Sequence, residues 1–172
     1  SGQTVNAGVI GTKPVGKAKK PLNILILGGT GFIGPHQVRY AQERGHKLTL
    51  FNRGRTNPGL FPDVEKLQGD RATGDYKSLA KGEWDVVIDN PTTFPRWVRE
   101  AAAAVKGRAK HYIFISTISV YAAGDTPGAD ETAALATTDT PDSEDRARIN
   151  QLYGPLKALS EKESEKAFPG RT

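Results

Sequence analysis

The heptapeptide GGTGFIG at residues 28–34 directly follows the apolar run LNILIL at residues 22–27, and it is the stretch that decides the fold. Four of its seven residues are glycine. Glycine loses more conformational freedom on folding than any other residue, so a cluster of glycines indicates a tight turn or a close approach of the backbone to another group. The two stretches together therefore predict a buried strand that ends in a glycine-rich turn.

A helix and a second strand are predicted to follow this turn. Residues 32–45 have apolar side chains at helical spacing, and KLTLF at residues 47–51 is typical of a strand. A G-x-x-G-x-x-G spacing at such a strand-to-helix junction is typical of a loop that binds a pyrophosphate through backbone N–H groups and the helix dipole. A turn without a ligand is the alternative. The loop residues predicted to bind a dinucleotide are Gly28, Thr30, Gly31, Phe32, Ile33 and Gly34.

The rest of the chain continues the alternation of strands and helices. Further strands are predicted at 64–70, 84–90 and 111–117, and further helices at 75–82, 95–107 and 151–168. Nearly continuous apolar strands are typical of a parallel sheet that is buried on both faces. We therefore predict an α/β fold with a doubly wound parallel sheet. The polar, acidic stretch at 122–148 predicts a long loop.

Composition predicts one domain and a basic leader. The 172 residues, of which 37% are hydrophobic, are enough for a single domain with its own core, predicted to span 22–172. The formal charge is +5, but residues 1–21 carry four lysines and no acid and are rich in glycine. This segment is predicted to be flexible. The nearly neutral remainder argues against a nucleic-acid partner.

Metal sites and membrane spans are not predicted. The chain has no cysteine, and His36, His46 and His111 are not clustered as zinc ligands are. No apolar run is long enough to cross a bilayer.

The end of the second strand indicates which dinucleotide is bound. In NAD sites an acidic residue near this position bonds to the ribose hydroxyl, whereas in NADP sites an arginine accommodates the 2′-phosphate. Here the strand ends in FNRG at residues 51–54, without an acid. We therefore predict binding by Asn52 and Arg53, with Arg55 as an additional guanidinium, and NADP as the preferred cofactor over NAD. Arginines on a merely solvated surface are the alternative.

A tyrosine and a lysine one helical turn apart form a candidate catalytic pair. Tyr153 and Lys157 lie at positions i and i+4 of the last predicted helix. They share one helical face, so the ammonium favours the phenolate that a general base requires. Thr117, at the end of the fifth predicted strand, adds a hydroxyl where open α/β sheets bind ligands. Capping of a turn is the alternative role for this hydroxyl.

The order of these motifs resembles the extended short-chain dehydrogenase/reductase family, which contains NAD-dependent epimerases and dehydratases. The resemblance covers roughly residues 22–168 and rests on GGTGFIG, Gly69-Asp70, DVVID, FISTISVY and YGPLK. It implies a Rossmann fold and an NAD(P)-dependent epimerase/dehydratase or reductase. Its substrate would be a small molecule with a hydroxyl or carbonyl group, such as a nucleotide sugar.

The resemblance also implies roles for individual residues. Tyr153 would be the general acid/base, Lys157 would hold the nicotinamide ribose, and Thr117 would orient the substrate. The residues placed beside the adenine or the rest of the cofactor are Asp70, Arg71, Asn90, Pro91 and Thr92.

Three features depart from the family pattern. Asp89-Asn90-Pro91 stands where the family usually has apolar or small residues, and Pro155 is uncommon inside the tyrosine helix. The family would enter its sixth strand near Thr172, where this sequence ends, so much of the expected substrate region lies beyond it.

Other aspects of function stay open in the sequence. The chain is also similar to family relatives that bind RNA in plastids, so an RNA-binding or non-catalytic dinucleotide-sensing protein is the alternative function.

The family often forms homodimers through the helices that flank strands four and five. The resemblance favours the cytoplasm, while the basic leader also suits the mature end of an exported, periplasmic protein.

Overall fold

The computed structural model describes residues 14–90, 92–122 and 127–172. The strands are β1 (Asn23–Leu27), β2 (Lys47–Asn52), β3 (Glu65–Gln68), β4 (Trp84–Asp89) and β5 (Ala109–Phe114). The helices are α1 (Gly34–Glu43), α2 (Pro95–Val105) and α3 (Ile149–Ala167). Short 3₁₀ turns lie at Arg71–Thr73, Lys77–Leu79, Ile118–Val120 and Arg146–Arg148.

All five strands run parallel in the order β3-β2-β1-β4-β5. Leu25 in the central strand pairs in register with Thr49 of β2 and Val87 of β4. The chain builds the sheet outward from β1 in one direction and then in the other. Such a reversal leaves a crevice at the carboxyl ends of the central strands, where ligands bind in open sheets. The predicted doubly wound parallel sheet is confirmed.

The central strand is apolar throughout because both of its faces are covered. Leu25 and Leu27 pack with the α2 side chain Val98. Ile24 and Ile26, which point to the opposite face, pack in a second cluster with Val38 of α1, Leu48 and Leu50. Successive strand residues point to opposite faces, so a strand between two helical layers requires an unbroken apolar run.

The predicted short helix at 75–82 is only a 3₁₀ turn, Lys77–Leu79. The Asp75 carboxylate accepts the Lys77 N–H at 3.3 Å, and Gly82 follows the turn with a φ of +104°. A positive φ is incompatible with a right-handed helix, so the segment cannot extend further. Only Leu79 of this turn is buried.

β5 ends at Phe114, three residues before its predicted end. Phe114 pairs with Asp89, the last residue of β4, and the Thr117 Oγ1 then accepts the Ser119 N–H at 3.2 Å and caps the following 3₁₀ turn. A hydroxyl that bonds to the backbone two residues further on favours a turn over a strand. The strand also begins earlier than predicted, at Ala109.

α3 continues through Gly154 and Pro155. A Cβ atom at Gly154 would lie 2.1 Å from the Ser119 carbonyl oxygen, so only glycine lets the helix pack so closely against the turn after β5. Pro155 removes one helical N–H, which costs the hydrogen bond to the carbonyl four residues earlier. Packing against the turn and against α2 maintains the helix in spite of this loss.

The described end of the basic leader contacts the end of α1. The Ala18 N–H donates to the Arg44 carbonyl at 2.9 Å, and the Arg44 guanidinium donates to the Gly16 carbonyl at 2.6 Å. Residues 1–13, the larger part of the predicted leader, lie outside the described residues. None of the helices in the described ranges is long and apolar enough to cross a membrane.

Candidate functional site

A cleft of about 590 Å³ opens at the carboxyl ends of the central strands. It gathers residues from the loops that follow β1, β2, β3 and β4. The predicted cofactor-binding residues that line it are Gly28, Thr30, Gly31, Phe32, Ile33, Gly34, Asn52, Arg53, Asp70, Arg71, Asn90 and Thr92. Pro91 lies outside the described residues. The fold thus brings four separate sequence segments to one crevice.

The glycines of the loop after β1 meet two different structural requirements. Gly28 and Gly29 have φ values of +104° and +96°, which favour glycine because it has no Cβ. A Cβ atom at Gly34 would lie 2.4 Å from the Gly29 Cα, so the first residue of α1 must also be glycine. A Cβ atom at Gly31 would meet no heavy atom within 4 Å among the described residues. Gly31 therefore leaves open space on the cleft side of the loop.

Asn57 holds this loop from outside the glycine motif. Its side-chain Nδ2 donates to the Thr30 carbonyl at 3.1 Å, and its own φ is +45°. Asparagine is one of the few non-glycine residues that adopts this conformation readily. Asn57 is not predicted from the glycine motif, although the turn-forming triplet Asn57-Pro58-Gly59 is a visible signal in the sequence.

Asn90 and Thr92 present buried polar atoms at the cleft without protein partners. Both amide atoms of Asn90 and the Thr92 Oγ1 are inaccessible and form no hydrogen bond with the described residues. Each side chain is more than nine-tenths buried. A buried polar group without a partner costs about 1–3 kcal/mol, so such groups in a cleft favour a polar ligand. Their position fits the dinucleotide predicted from the glycine motif.

Arg71 lines the cleft but directs its terminal nitrogens to Asp89. Its Nη1 and Nη2 donate to the two carboxylate oxygens at 2.5 and 3.0 Å, and Nη2 also donates to the Trp97 carbonyl. The Tyr112 hydroxyl donates to the same carboxylate at 2.5 Å. This network explains why β4 ends in an acid where the family usually has an apolar or small residue. Of the Arg71 guanidinium nitrogens, only the buried Nε has no hydrogen-bond partner among the described residues.

Burial and charge shift the pKa values of this network in one direction. Burial lowers the pKa of Arg71. The nearby Asp89 charge and its hydrogen bonds raise this pKa by a larger amount, so the net shift is upward. Burial raises the pKa of Tyr112, and the Asp89 charge adds to this shift. The guanidinium is therefore always charged, and the phenol is neutral over the ordinary pH range.

Asp70, the other predicted residue in the turn after β3, caps that turn. Its Oδ1 accepts the Ala72 N–H at 2.9 Å. It lines the cleft beside Arg71. The role predicted for it beside an adenine stays a prediction.

Three further arginines carry positive charge into the cleft. Arg53 and Arg55 follow β2, and Arg146 belongs to the 3₁₀ turn before α3. Within the described ranges, no carboxylate lies at ion-pair distance from any of these guanidiniums. Arg146 is not predicted as a binding residue. It lies far from the glycine loop in sequence, in the stretch 122–148 that the sequence indicates only as a long loop.

Lys157 holds together the ends of two neighbouring strands. Its Nζ donates to the Thr92 carbonyl at 3.2 Å and to the Ile115 carbonyl at 2.5 Å, and it lies 4.0 Å from the centre of the Phe114 ring. Burial lowers the pKa of Lys157 to about 8, although the charges of Asp89 and Glu161 partly oppose the shift. Its ammonium is thus anchored where β4 and β5 end.

Tyr153, Thr117 and Lys157 are not among the residues that line the cleft. Tyr153 is half-buried in α3, one turn before Lys157, and no hydrogen bond among the described residues joins the two side chains. The Thr117 hydroxyl caps the turn after β5, the alternative role that the sequence left open. The catalytic roles of Tyr153, Lys157 and Thr117 stay predictions.

Comparison with known proteins is consistent with this site. Residues 24–89, from β1 to the end of β4, match the model of the NAD dependent epimerase/dehydratase family. The chain is 33% identical over 123 residues to the chloroplast stem-loop binding protein of 41 kDa b from Arabidopsis thaliana, a match over 63% of this chain and 32% of that protein.

Solved structures share the fold. The Bordetella bronchiseptica enzyme WbmG in complex with NAD aligns with a TM-score of 0.66 at 16% identity, over 86% of this chain and 50% of that one. The UDP-Glc/GlcNAc 4-epimerase from Campylobacter jejuni aligns with a TM-score of 0.66 at 19% identity, over 87% of this chain and 51% of that one. The chain spans about a third of the curated relative and about half of these structures. The family match over β1–β4 and the Rossmann-like sheet together confirm the resemblance of this chain to the NAD dependent epimerase/dehydratase family.

Proposed function

We propose that the cleft binds NADP or NAD and that the chain is the cofactor-binding part of an NAD(P)-dependent epimerase/dehydratase or reductase. The observation that carries the proposal is the glycine loop facing Asn90 and Thr92, whose buried polar atoms have no partner among the described residues. A pyrophosphate on the loop would meet backbone N–H groups and the amino end of α1. The chemical fit is supported by the open space beside Gly31.

NADP is proposed as the preferred cofactor because the cleft is rich in arginine. Arg53 and Arg55 lie at the end of β2, where NADP sites hold the 2′-phosphate. Guanidinium groups bind phosphate through charge-assisted hydrogen bonds in a planar fork. NAD is the alternative, and the similar WbmG structure is a complex with NAD.

The chemistry is proposed to be oxidation and reduction at a hydroxyl-bearing carbon. When bound, the nicotinamide supplies the hydride acceptor and donor. Tyr153 would remove and return the proton of the substrate hydroxyl, and Lys157 would hold the cofactor ribose from the ends of β4 and β5. The Thr117 hydroxyl would orient the substrate oxygen. A nucleotide sugar is the proposed substrate class, by analogy with the similar UDP-Glc/GlcNAc 4-epimerase.

Calorimetric titration with NADP⁺ and NAD⁺ at one fixed salt concentration tests the cofactor proposal. We expect tighter binding of NADP⁺, weakened about tenfold in Arg53→Ala because a hydrogen bond between charged groups is lost. Arg99→Ala is the matched control, since this exposed arginine pairs with Glu163 and does not line the cleft. If the wild-type chain binds neither dinucleotide, the proposal is wrong.

RNA binding is a second candidate function, favoured by the similarity to the chloroplast stem-loop binding protein. It would require phosphate contacts whose affinity falls steeply with salt. Fluorescence anisotropy of a labelled RNA hairpin, measured at low and high salt, tests it. Salt-dependent hairpin binding together with no dinucleotide binding would favour this candidate over the first.

A further inference from the structure

We propose that Arg146 binds a phosphate group of the dinucleotide and that Glu144 positions it through an ion pair with Arg96. The inference rests on the proposed dinucleotide site and adds to it a phosphate-binding residue from the segment before α3. The geometry points to this role because Arg146 lines the cleft although it lies more than a hundred residues from the glycine loop.

The segment that carries Arg146 is attached to the beginning of α2. The Glu144 carboxylate accepts two hydrogen bonds from Arg96, at 2.6 Å from Nε and 2.9 Å from Nη2. The two side chains are only about a third exposed. Such a two-point ion pair fixes orientation as well as distance. It therefore sets the position of the turn that begins two residues later.

Arg96 connects this attachment to the wall of the cleft. Its Nη2 also donates to the Ala72 carbonyl at 3.1 Å, and its Nη1 donates to Glu100 at 3.1 Å and lies 3.4 Å from the Arg71 carbonyl. The turn after β3, α2 and the segment before α3 are thus joined by one guanidinium. Asp145 completes the support, because its Oδ1 accepts the Ala147 N–H at 2.9 Å and caps the turn that contains Arg146.

The charge of the cleft favours an anion opposite Arg146. Arg53 and Arg55 lie after β2, and Arg146 approaches from a different segment. Asp70 is the one acid among the residues that line the cleft in the described ranges, and its Oδ1 bonds to the Ala72 backbone. The Glu144 carboxylate lies near enough to interact with Arg146 but bonds to Arg96. Guanidiniums that reach one cleft from two segments of the chain suit a ligand with more than one phosphate.

Titration of the chain with NADP⁺ and NAD⁺ separates this role from a structural one. We expect Arg146→Gln to weaken dinucleotide binding about tenfold, as expected for loss of a charged hydrogen bond. Weaker binding of NADP⁺ alone would show that Arg146 binds the 2′-phosphate. Equally weaker binding of both dinucleotides would show that Arg146 binds the pyrophosphate. Arg148→Gln is the matched control, because Arg148 belongs to the same turn but does not line the cleft.

A second pair of variants tests the positioning role of Glu144. We expect Glu144→Gln to weaken binding about threefold in the wild-type background, because a less ordered Arg146 binds at a higher entropic cost. It should have no further effect in an Arg146→Gln background, since the two residues act as one unit. Glu131→Gln, in the same segment but outside this ion pair, is the control and should leave binding unchanged.

Two results would overturn the inference, and they are distinguishable. If the wild-type chain binds dinucleotide and Arg146→Gln binds it equally well, the inference is wrong and the proposed function stands. If the wild-type chain binds neither dinucleotide, the proposed function fails and the inference fails with it. Thermal unfolding of each variant verifies the fold, and we expect little change because Arg146 is exposed.

Discussion

Arg71 and Asp89 form a buried ion pair that links the turn after β3 to the end of β4. The Asp89 side chain is fully buried and the Arg71 side chain is 12% exposed. The carboxylate also accepts the Tyr112 hydroxyl, and the guanidinium also bonds to the Trp97 carbonyl. The pair thus lies between the cleft at the carboxyl ends of the strands and the core cluster that contains Tyr112.

Removal of one member of this pair should destabilise the fold strongly. We expect Arg71→Met to lower the free energy of unfolding by about 3–5 kcal/mol, because a buried carboxylate loses its counter-charge. Denaturant unfolding measures the loss. The double variant Arg71→Met/Asp89→Asn should recover part of it, since it removes the buried charge and keeps an acceptor for Tyr112.

A surface ion pair provides the control for this prediction. Lys110 pairs with Asp85 at 2.7 Å, but its side chain is 71% exposed. Lys110→Met should therefore lower the free energy of unfolding far less than Arg71→Met, because solvent screens an exposed ion pair. Equal losses of unfolding free energy in Lys110→Met and Arg71→Met would contradict the prediction that burial makes the Arg71–Asp89 pair more important for stability.

Two glycines of the same loop should respond differently to a methyl group. Gly34→Ala places its Cβ against the Gly29 backbone, so we expect a loss of about 1–3 kcal/mol in the free energy of unfolding. Gly31→Ala should keep wild-type stability and weaken dinucleotide binding at least about tenfold, because its methyl group enters the open space facing the ligand.

Gly59→Ala is the control for both glycine variants, since a Cβ there also meets open space and Gly59 does not line the cleft. Denaturant unfolding and calorimetric titration provide the two measurements. Dinucleotide binding in Gly31→Ala as tight as in Gly59→Ala would show that the ligand does not approach this loop.

The buried Lys157 should make stability increase with pH in the alkaline range. The pKa of Lys157 is about 8 in the folded chain, against about 10.4 for an unperturbed lysine. Between these values the unfolded chain binds more protons than the folded chain, so the free energy of unfolding rises with pH. Below pH 8 both states are protonated, and the burial cost of the ammonium is fully present.

Comparison with Lys157→Met isolates this contribution. The difference in the free energy of unfolding between wild type and Lys157→Met should change between about pH 8 and 10 in the direction that favours the wild type. Lys162→Met, an exposed lysine of the same helix, should show no such change relative to wild type. Parallel pH profiles for wild type and Lys157→Met would contradict the lowered pKa.

Tyr153→Phe should separate catalysis from cofactor binding. We expect loss of turnover, because the variant has no phenol to exchange a proton with the substrate. The Kd for the dinucleotide should change less than about twofold, since Tyr153 does not line the cleft. Interconversion of a UDP-hexose, followed by NMR, provides the assay, and Tyr40→Phe in α1 is an exposed control. Retained turnover in Tyr153→Phe would remove this residue from the proposed mechanism.

Much of the sheet was predictable because its signals are local. The apolar run of β1 and the glycines after it lie within twelve consecutive residues, 23–34. Strand periodicity and glycine conformation depend mainly on neighbouring residues. The predicted carboxyl end of β5 was wrong, because the strand ends with its partner β4 at Asp89 and the Thr117 side chain bonds to the Ser119 backbone to begin a turn. Apolar patterning does not report such a side-chain bond.

The lining of the cleft was also largely predictable, but the partners of its charged groups were not. Arg53 and Asn90 both line the cleft, because the carboxyl ends of parallel strands meet at one edge of the sheet. Arg146 was missed, since no spacing rule relates it to the glycine loop. Asp89 was recognised only as a departure from the family pattern, and its ion pair with Arg71 was not foreseen, because the two residues lie 18 apart in sequence.

The sequence by itself determined the alternation of strands and helices, which implies a parallel sheet, and the glycine-rich turn after β1, because each of these signals lies in residues close together in the chain. Tertiary structure decided which charges meet. Arg71 and Asp89 are 18 residues apart, Arg96 and Glu144 are 48 apart, and Lys157 reaches a carbonyl 65 residues away. Such contacts arise only when packing of helices on the sheet brings distant segments together, and burial then gives each pairing its strength.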